Sequence, residues 1–322
     1  RLRLSWAVTT IARQVVRLCY ASISNRSFWI DMKKRIFQGA RHICLALLFL
    51  PVLSSCQTLT ATGAYRQADE MAAAARWSAT YEETPHFTLK TYLGPQSAPE
   101  RPIVIYIEGD GFAWVKDNWV SPDPTPRDPF MLDVALRDTY FNAAYLARPC
   151  QYVIETGRGA NCQSALWTDA RFNEVVIADM SLAIDQLLSQ RKHQRVVLVG
   201  GSGGGSVAML LAARRNDIDA IVTLSGLLNH RAWSRYHKIS SLGQSLNPAD
   251  FYPKTASIPQ LHLLAGEDTV IPVQLSQQEL GHLMQLSPNS VNWREVPEID
   301  HSCCWAGYWA ENSRQLIEGL IK

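Results

Sequence analysis

The sequence predicts a mostly parallel, doubly wound α/β sheet with flanking helices. Two runs rich in β-branched residues, at 101–107 and 195–199, each lead directly into a glycine-rich loop, as buried strands often do. Stretches with apolar residues at helical spacing, at 167–190 and 309–321, lie between or after the strand candidates. Strands that alternate with helices at this spacing are typical of a parallel sheet.

The remaining elements can be predicted in chain order. Residues 86–93 alternate apolar and polar side chains like an edge strand, and an Ala/Leu-rich helix is expected at 206–215. Residues 226–258 are too many for a simple turn, so we expect a short cap segment there. Further short apolar runs predict strands at 140–146, 219–224, 260–265 and 291–296.

Residues 32–55 have the layout of an export signal. A basic segment begins at Met32, an apolar run of 11 residues follows, and the run ends at Leu53-Ser54-Ser55-Cys56. This ending resembles the lipobox of bacterial lipoproteins, which implies that Cys56 becomes the lipidated first residue of the mature chain. An ordinary signal peptide without a lipid, or a transit peptide over 1–55, are the alternatives.

The resemblance implies an order of segments and a location. Residues 1–31 are expected to be a dispensable extension, 56–85 a tether or peripheral segment, and 86–322 the α/β domain. Attachment to the bacterial envelope would then occur through the lipid on Cys56. Because Gln57 is not the Asp that retains many such lipoproteins at the inner membrane, the outer membrane is the expected destination.

The charge distribution argues against nucleic-acid binding. The whole chain carries 31 basic and 29 acidic residues, but nine basic residues and one acidic residue precede Cys56. The remainder has 22 basic and 28 acidic residues, a net charge of about −6, without a basic cluster. We expect a monomer that binds a small molecule.

Four of the seven cysteines lie in the predicted exported domain: Cys150, Cys162, Cys303 and Cys304. An even number suits an oxidising compartment, and a bond between Cys150 and Cys162 would close a short loop. Four cysteines allow three connectivities, so this pairing is one of several. The spacings do not fit a zinc site, and no metal is expected.

The motif Gly200-Gly201-Ser202-Gly203-Gly204 follows a predicted strand and precedes a predicted helix. It fits the pattern G-x-S-x-G, in which a serine on a sharp turn acts as a nucleophile. The alternative is a loop that binds phosphate. A Walker loop has Lys and then Ser or Thr directly after its last glycine, whereas here Gly205 is followed by Ser206 and Val207.

With this motif the chain resembles the α/β-hydrolase superfamily, whose catalytic residues occur in the order nucleophile, acid, histidine. The family's acid turn matches 266–272, which implies Asp268 as the acid, with Glu267 as the local alternative. The histidine that follows the last predicted strand is His301. Four other histidines are less suitable as the base: His230, His237, His262 and His282.

The resemblance also implies an oxyanion hole built from backbone N–H groups. One is that of Gly203, after the nucleophile. The other belongs to the loop 108–111, where many esterases carry His-Gly-Gly-Gly and this chain has Glu-Gly-Asp-Gly. The second donor is therefore Asp110 or Gly111.

Together these features predict a serine hydrolase that cleaves carboxylic esters of small or lipid-like acyl groups and needs no cofactor. Four tryptophans near the site loops could form an apolar pocket or could simply be packing residues: Trp114, Trp119, Trp233 and Trp305. A serine peptidase or amidase of the same fold, and a catalytically silent envelope lipoprotein, are the alternatives.

Overall fold

The computed structural model describes residues 60–116, 118–192 and 195–321. Almost all of these residues belong to the unit Tyr65–Lys322. The predicted export signal and Cys56 lie outside the described residues. Among the described residues, no helix combines the length and apolar character needed to cross a bilayer.

The strands are numbered in chain order. Their bounds are β1 Ser78–Glu83, β2 Thr88–Leu93, β3 Ile103–Ile107, β4 Trp114–Lys116, β5 Trp119–Val120, β6 Asn142–Leu146, β7 Val196–Gly201, β8 Ile218–Leu224, β9 Gln260–Ala265 and β10 Val291–Val296. Eight of them form one sheet in the order β1-β2-β6-β3-β7-β8-β9-β10, while β4 and β5 form a separate hairpin. The pairs β1–β2 and β2–β6 are antiparallel, and the other neighbours in the sheet are parallel.

Eight α-helices accompany these strands in the described residues. Their bounds are α1 Ala61–Ala74, α2 Phe130–Leu136, α3 Glu174–Arg191, α4 Gly203–Ala212, α5 His230–His237, α6 Tyr252–Thr255, α7 Val273–Leu286 and α8 Trp305–Leu320. Short 3₁₀ turns lie at Ile154–Thr156, Ser164–Trp167 and Pro248–Phe251.

Both faces of the central strands are buried, which explains their continuous apolar sequence. In β3, Ile103 and Ile105 pack into a core with α3 and α4, while Val104 and Tyr106 pack into a second core with α2 and α8. The predicted fold class, a mostly parallel sheet with flanking helices, is confirmed.

The sheet begins earlier than residue 86, the predicted start of the domain. Strand β1 lies within the segment 56–85, which the sequence suggested was a tether, and pairs with β2 along its whole length. Its sequence is polar because β1 is the edge strand and much of it faces solvent. Ala68, Ala72 and Trp77 of the same segment are buried in the second core.

The expected cap segment, 226–258, connects β8 to β9 and contains α5 and α6. It packs on the first core through Leu228, Leu242 and Tyr252. The Tyr252 hydroxyl donates to the Leu228 carbonyl at 3.1 Å, so the two ends of the segment are joined.

The predicted bond between Cys150 and Cys162 is present, with Cα atoms 5.6 Å apart, and Cys303 is bonded to Cys304. Cys150 is fully buried beside Trp167 and Ala113. This bond therefore ties the loop after β6 to the segment that leads into α3.

Removal of the Cys150–Cys162 bond should lower the free energy of unfolding. The bond joins residues 12 apart, and a loop of this size is worth about 3 kcal/mol in lost chain entropy. We expect the variant Cys150→Ala/Cys162→Ala to unfold at lower urea concentration, with a loss of that order. Wild-type protein in reductant is the control and should approach the variant. Equal unfolding curves for oxidised wild type and variant would contradict the expectation.

Candidate functional site

The candidate residues lie in loops that follow parallel strands. Glu108 follows β3, Ser202 follows β7, Asp268 comes after β9 and His301 after β10. Because these strands run in the same direction, their carboxyl ends lie at one edge of the sheet. Residues up to 193 positions apart in the sequence therefore meet at this edge.

Ser202 occupies a sharp turn between β7 and α4. Its φ is 52° and its ψ is −121°, a left-handed conformation that a residue with a Cβ adopts at a cost. The turn is held by its own backbone: Ser202 N–H donates to Leu224 O, and Ser202 O accepts from Leu227 N–H, each at 3.0 Å. The strained serine turn predicted from the glycine-rich motif is present.

The His301 ring lies between Ser202 and Asp268. Its Nε2 is 2.9 Å from Ser202 Oγ, and its Nδ1 is 2.8 Å from Asp268 Oδ2. The Nδ1–H donates to the carboxylate, so Nε2 can accept the serine hydroxyl proton. The structure therefore brings the three predicted side chains into one hydrogen-bonded chain.

Asp268 is buried, and its carboxylate accepts several hydrogen bonds. Its Oδ1 accepts the N–H groups of Val270 at 2.8 Å and Ile271 at 2.7 Å. Burial alone would raise the pKa of Asp268, but the hydrogen bond and charge of His301 and the backbone donors outweigh it and lower the pKa. The alternative acid, Glu267, is exposed and does not contact the imidazole.

The other histidines lie elsewhere. His262 is buried in β9 between Thr223 and Gln260, and burial lowers its pKa to about 3. His237 contacts the Val270 carbonyl, and His230 is buried at the start of α5. His282 lies on α7.

The loop after β3 lies against the serine turn. A Cβ built on Gly109 would be 3.4 Å from Ser202 Cβ, and one built on Gly203 would overlap Asp110 Oδ1. Gly203 is therefore required for the Asp110 carboxylate to lie over the start of α4. Gly111 has a φ of 66°, and a Cβ built there would overlap Pro124 O and Gln151 Nε2, so glycine is required at that end of the loop.

Two buried arginines hold the Asp110 carboxylate, and sequence reasoning missed both. Arg148 contacts Oδ1 at 3.3 Å and Arg171 contacts Oδ2, with their side chains 5% and 8% exposed. Burial would raise the pKa of Asp110, but the two guanidinium charges lower it. The arginines lie 38 and 61 residues away, and no local motif marks them.

Glu108 is a second buried carboxyl group of the same loop. It is 1% exposed; its Oε1 accepts from Gly109 N–H at 2.9 Å, and its Oε2 accepts from the Tyr145 hydroxyl at 3.0 Å. Burial raises its pKa from 4.5 to about 7, because these hydrogen bonds only partly offset the loss of water. The sequence reveals only that Glu occupies the usual histidine position.

The four tryptophans differ in exposure. Trp114 and Trp119 are 42% and 60% exposed on the β4–β5 hairpin. Trp305 is fully buried and its Nε1–H donates to His301 O at 3.3 Å, so it supports the histidine loop. Trp233, on α5, packs against the first core, and its Nε1–H donates to Val270 O. Across the described part of the chain, no group of three His, Cys, Asp or Glu side chains could hold a metal ion.

The raised pKa of Glu108 predicts a pH-dependent stability. Between pH 4.5 and about 7 the unfolded chain loses this proton while the folded protein keeps it, so unfolding becomes easier by about 3 kcal/mol as the pH rises. Glu108→Gln should remove this dependence, so its free energy of unfolding relative to wild type should rise across that window. Urea unfolding at several pH values measures it, with Glu267→Gln as the exposed control. A difference between Glu108→Gln and wild type that does not vary with pH would refute the assignment.

No protein-family model matches the chain, and no curated protein matches it. Solved structures do match. A proposed dienelactone hydrolase from Klebsiella pneumoniae subsp. pneumoniae aligns with a TM-score of 0.51 at 18% identity, over 76% of this chain and 97% of that one. An esterase from Pyrococcus furiosus aligns with a TM-score of 0.54 at 12% identity, over 78% and 94%.

An acylaminoacyl peptidase from Pyrococcus horikoshii also aligns, with a TM-score of 0.55 at 13% identity, over 76% of this chain but only 40% of the peptidase. These identities are low, so the matches bear on the fold. Together with the sheet order described above, they identify this chain as one with the α/β-hydrolase fold.

Proposed function

We propose that this chain is a serine hydrolase that cleaves carboxylic esters through an acyl-enzyme on Ser202. The observation that carries the proposal is the chain of contacts from Ser202 Oγ through His301 to Asp268, at 2.9 and 2.8 Å. The distance between His301 Nε2 and Ser202 Oγ suits proton transfer, and the distance between His301 Nδ1 and Asp268 Oδ2 suits orientation of the ring.

In the proposed mechanism, His301 Nε2 takes the hydroxyl proton as Ser202 Oγ bonds to the acyl carbon. The carbonyl electrons move to the oxygen, and the tetrahedral intermediate collapses when His301 returns the proton to the leaving alcohol. Water, deprotonated by His301, then releases the acid and regenerates Ser202. Asp268 holds the imidazole tautomer and stabilises its charged form.

The oxyanion would be held by the backbone N–H groups of Gly203 and Asp110. Within the described residues, neither N–H donates to another group. Asp110 is favoured over Gly111 because it directly follows Gly109, which lies against Ser202, and its own carboxylate lies against Gly203. Donors of this kind contribute about 3 kcal/mol each in serine hydrolases.

Ester cleavage is favoured over amide cleavage by the matched structures. The matching esterase is covered over 94% of its length, whereas the matching peptidase has 60% of its chain outside the match. The exposed Trp114 and Trp119, on the hairpin that follows the loop 108–111 in the chain, suit an apolar acyl or alcohol group. We therefore propose small or lipid-like acyl esters as substrates.

Replacement of Ser202 tests the nucleophile. A fluorophosphonate probe should label the wild type and fail to label Ser202→Ala, and the variant should lose about 10⁶ in kcat on an ester. Ser206→Ala is the matched control, because Ser206 lies one turn along α4 and its hydroxyl bonds to the Leu227 carbonyl. Labelling that persists in Ser202→Ala would exclude Ser202, and an unlabelled wild type would favour the silent lipoprotein.

A pair of neighbouring acids tests the role of Asp268. Asp268→Asn should lower kcat by about 10⁴, because the amide favours the wrong imidazole tautomer. Glu267→Gln, one position earlier and exposed, should change kcat little. Steady-state ester hydrolysis by the two variants decides between them: a larger loss in Glu267→Gln would reverse the assignment.

We also propose that a lipid on Cys56 anchors the protein to the envelope. The support is the sequence Leu53-Ser54-Ser55-Cys56 after an apolar run. Each buried acyl CH₂ contributes about 0.8 kcal/mol, so several chains would hold the protein firmly. Cys56→Ser should remain active and leave the membrane fraction. A fatty-acid label absent from the wild type, or retained by Cys56→Ser, would rule out the anchor.

A further inference from the structure

A cavity of about 420 Å³ lies beside α5, apart from the residues of the proposed triad. It is bounded by one face of α5 and by the loop that follows the helix. His230 and Ser234, four positions apart on α5, line it from one face of the helix, and Lys238, the C-cap residue directly after α5, lines it as well. Its volume is in the range of small-ligand sites.

The cavity lining is cationic, although the domain as a whole is acidic. Arg231, Arg235 and Lys238 line it, and the lining includes no Asp or Glu. Arg231 is paired with Asp250 at 2.7 Å, whereas Arg235 and Lys238 have no ion pair within the described residues. Two positive charges thus remain available to an anion.

Two buried polar side chains of the lining have no hydrogen-bond partner in the described residues. They are His230, 2% exposed and with both ring nitrogens unpartnered, and Ser234, 3% exposed, through its hydroxyl. The carbonyls of Ser245 and Leu246 lie near the His230 ring but outside hydrogen-bonding geometry. Unpaired buried polar groups are costly, and a ligand that accepts the single imidazole N–H of His230 and the hydroxyl hydrogen of Ser234 would offset part of that cost.

We propose that this cavity binds the phosphate group of a small phosphomonoester. Guanidinium and ammonium groups donate several hydrogen bonds to phosphate oxygens, and the hydroxyls of Ser234 and Ser241 add uncharged donors. The cavity is larger than a phosphate ion alone requires, so room remains for a small organic group. The ligand is a soluble phosphomonoester or the headgroup of a lipid with the same chemistry.

The same helix contacts the loop of Asp268 through another face. Trp233 Nε1 and His237 Nε2 both lie against the Val270 carbonyl, at 2.7 and 2.8 Å, and Val270 N–H donates to Asp268 Oδ1 at 2.8 Å. A ligand that shifts α5 would therefore move the carboxylate that orients His301. This consequence rests on the proposed function, whereas the binding site does not.

The binding test is a calorimetric titration of the full chain with inorganic phosphate, glycerol 3-phosphate and a short-chain ether-linked phosphatidic acid, which has no carboxylic ester to hydrolyse, below its micelle concentration. The double variant Arg235→Gln/Lys238→Gln should weaken binding about tenfold or more, since it removes two charge-assisted contacts. Both side chains are exposed, so the core is untouched. Arg76→Gln/Lys116→Gln, an equal charge change at exposed positions outside the cavity, should leave binding unchanged.

The pattern among ligands identifies the source of the phosphate. Binding of glycerol 3-phosphate supports a soluble ligand, and binding of phosphatidic acid alone supports a lipid headgroup. Absence of binding up to about 10 mM, binding that Arg235→Gln/Lys238→Gln does not weaken, or equal weakening in both double variants overturns the site.

Ester hydrolysis with saturating phosphomonoester is the second readout. The rate should change in the wild type and not in Arg235→Gln/Lys238→Gln. An unchanged wild-type rate in the presence of measured binding overturns the link to Asp268. A chain without esterase activity would instead contradict the proposed function, and the titration would still decide on the binding site.

Discussion

The rest of the site depends on the close approach of three elements at the Ser202 turn: strand β7, helix α4 and the loop after β3. A serine with a φ of 52° can be held only if the chain before and after it is fixed, and here β7, α4 and the backbone of Leu224 and Leu227 fix it. The approach of the loop after β3 is possible because Gly203 has no side chain to displace Asp110. One small residue thus allows the nucleophile and the candidate oxyanion donor to lie side by side.

The loop after β3 is held in turn by charges that the fold has removed from water. Removing a single charged side chain from water costs free energy. For Arg148, Arg171 and Asp110 the ion pairs between the two guanidinium groups and the carboxylate offset that cost. Burial lowers the pKa of Arg148 to about 10, which reflects how little water reaches it. The cysteine bond at Cys150 lies two residues from Arg148, so the same segment is also held covalently.

Most of the fold could be predicted from the sequence because its central strands are buried on both faces. Short continuous apolar runs such as 103–107 indicate strands that are buried on both faces, and the alternation of such runs with helices along the chain indicates the doubly wound sheet. Strand β1 could not be predicted in this way, since the buried residue of Ser-Ala-Thr-Tyr-Glu-Glu is the polar Glu82 and the strand therefore shows no apolar face. The expected proximity of Ser202, Asp268 and His301 rested on the glycine-rich motif and the resemblance to the α/β-hydrolase pattern, whereas Arg148 and Arg171 depend on contacts across the fold and have no local signature.

The distribution of charge in the site matches the reaction proposed for it. Attack by Ser202 would create two charges, a negative one on the substrate oxygen and a positive one on His301. The carboxylate of Asp268 lies against the imidazole, where it would stabilise the positive charge. The cluster of Arg148, Arg171 and Asp110 carries one excess positive charge and adjoins the loop whose N–H groups would meet the oxyanion. Because these groups are already fixed and largely dry, they would act on the transition state without a further cost of reorganisation.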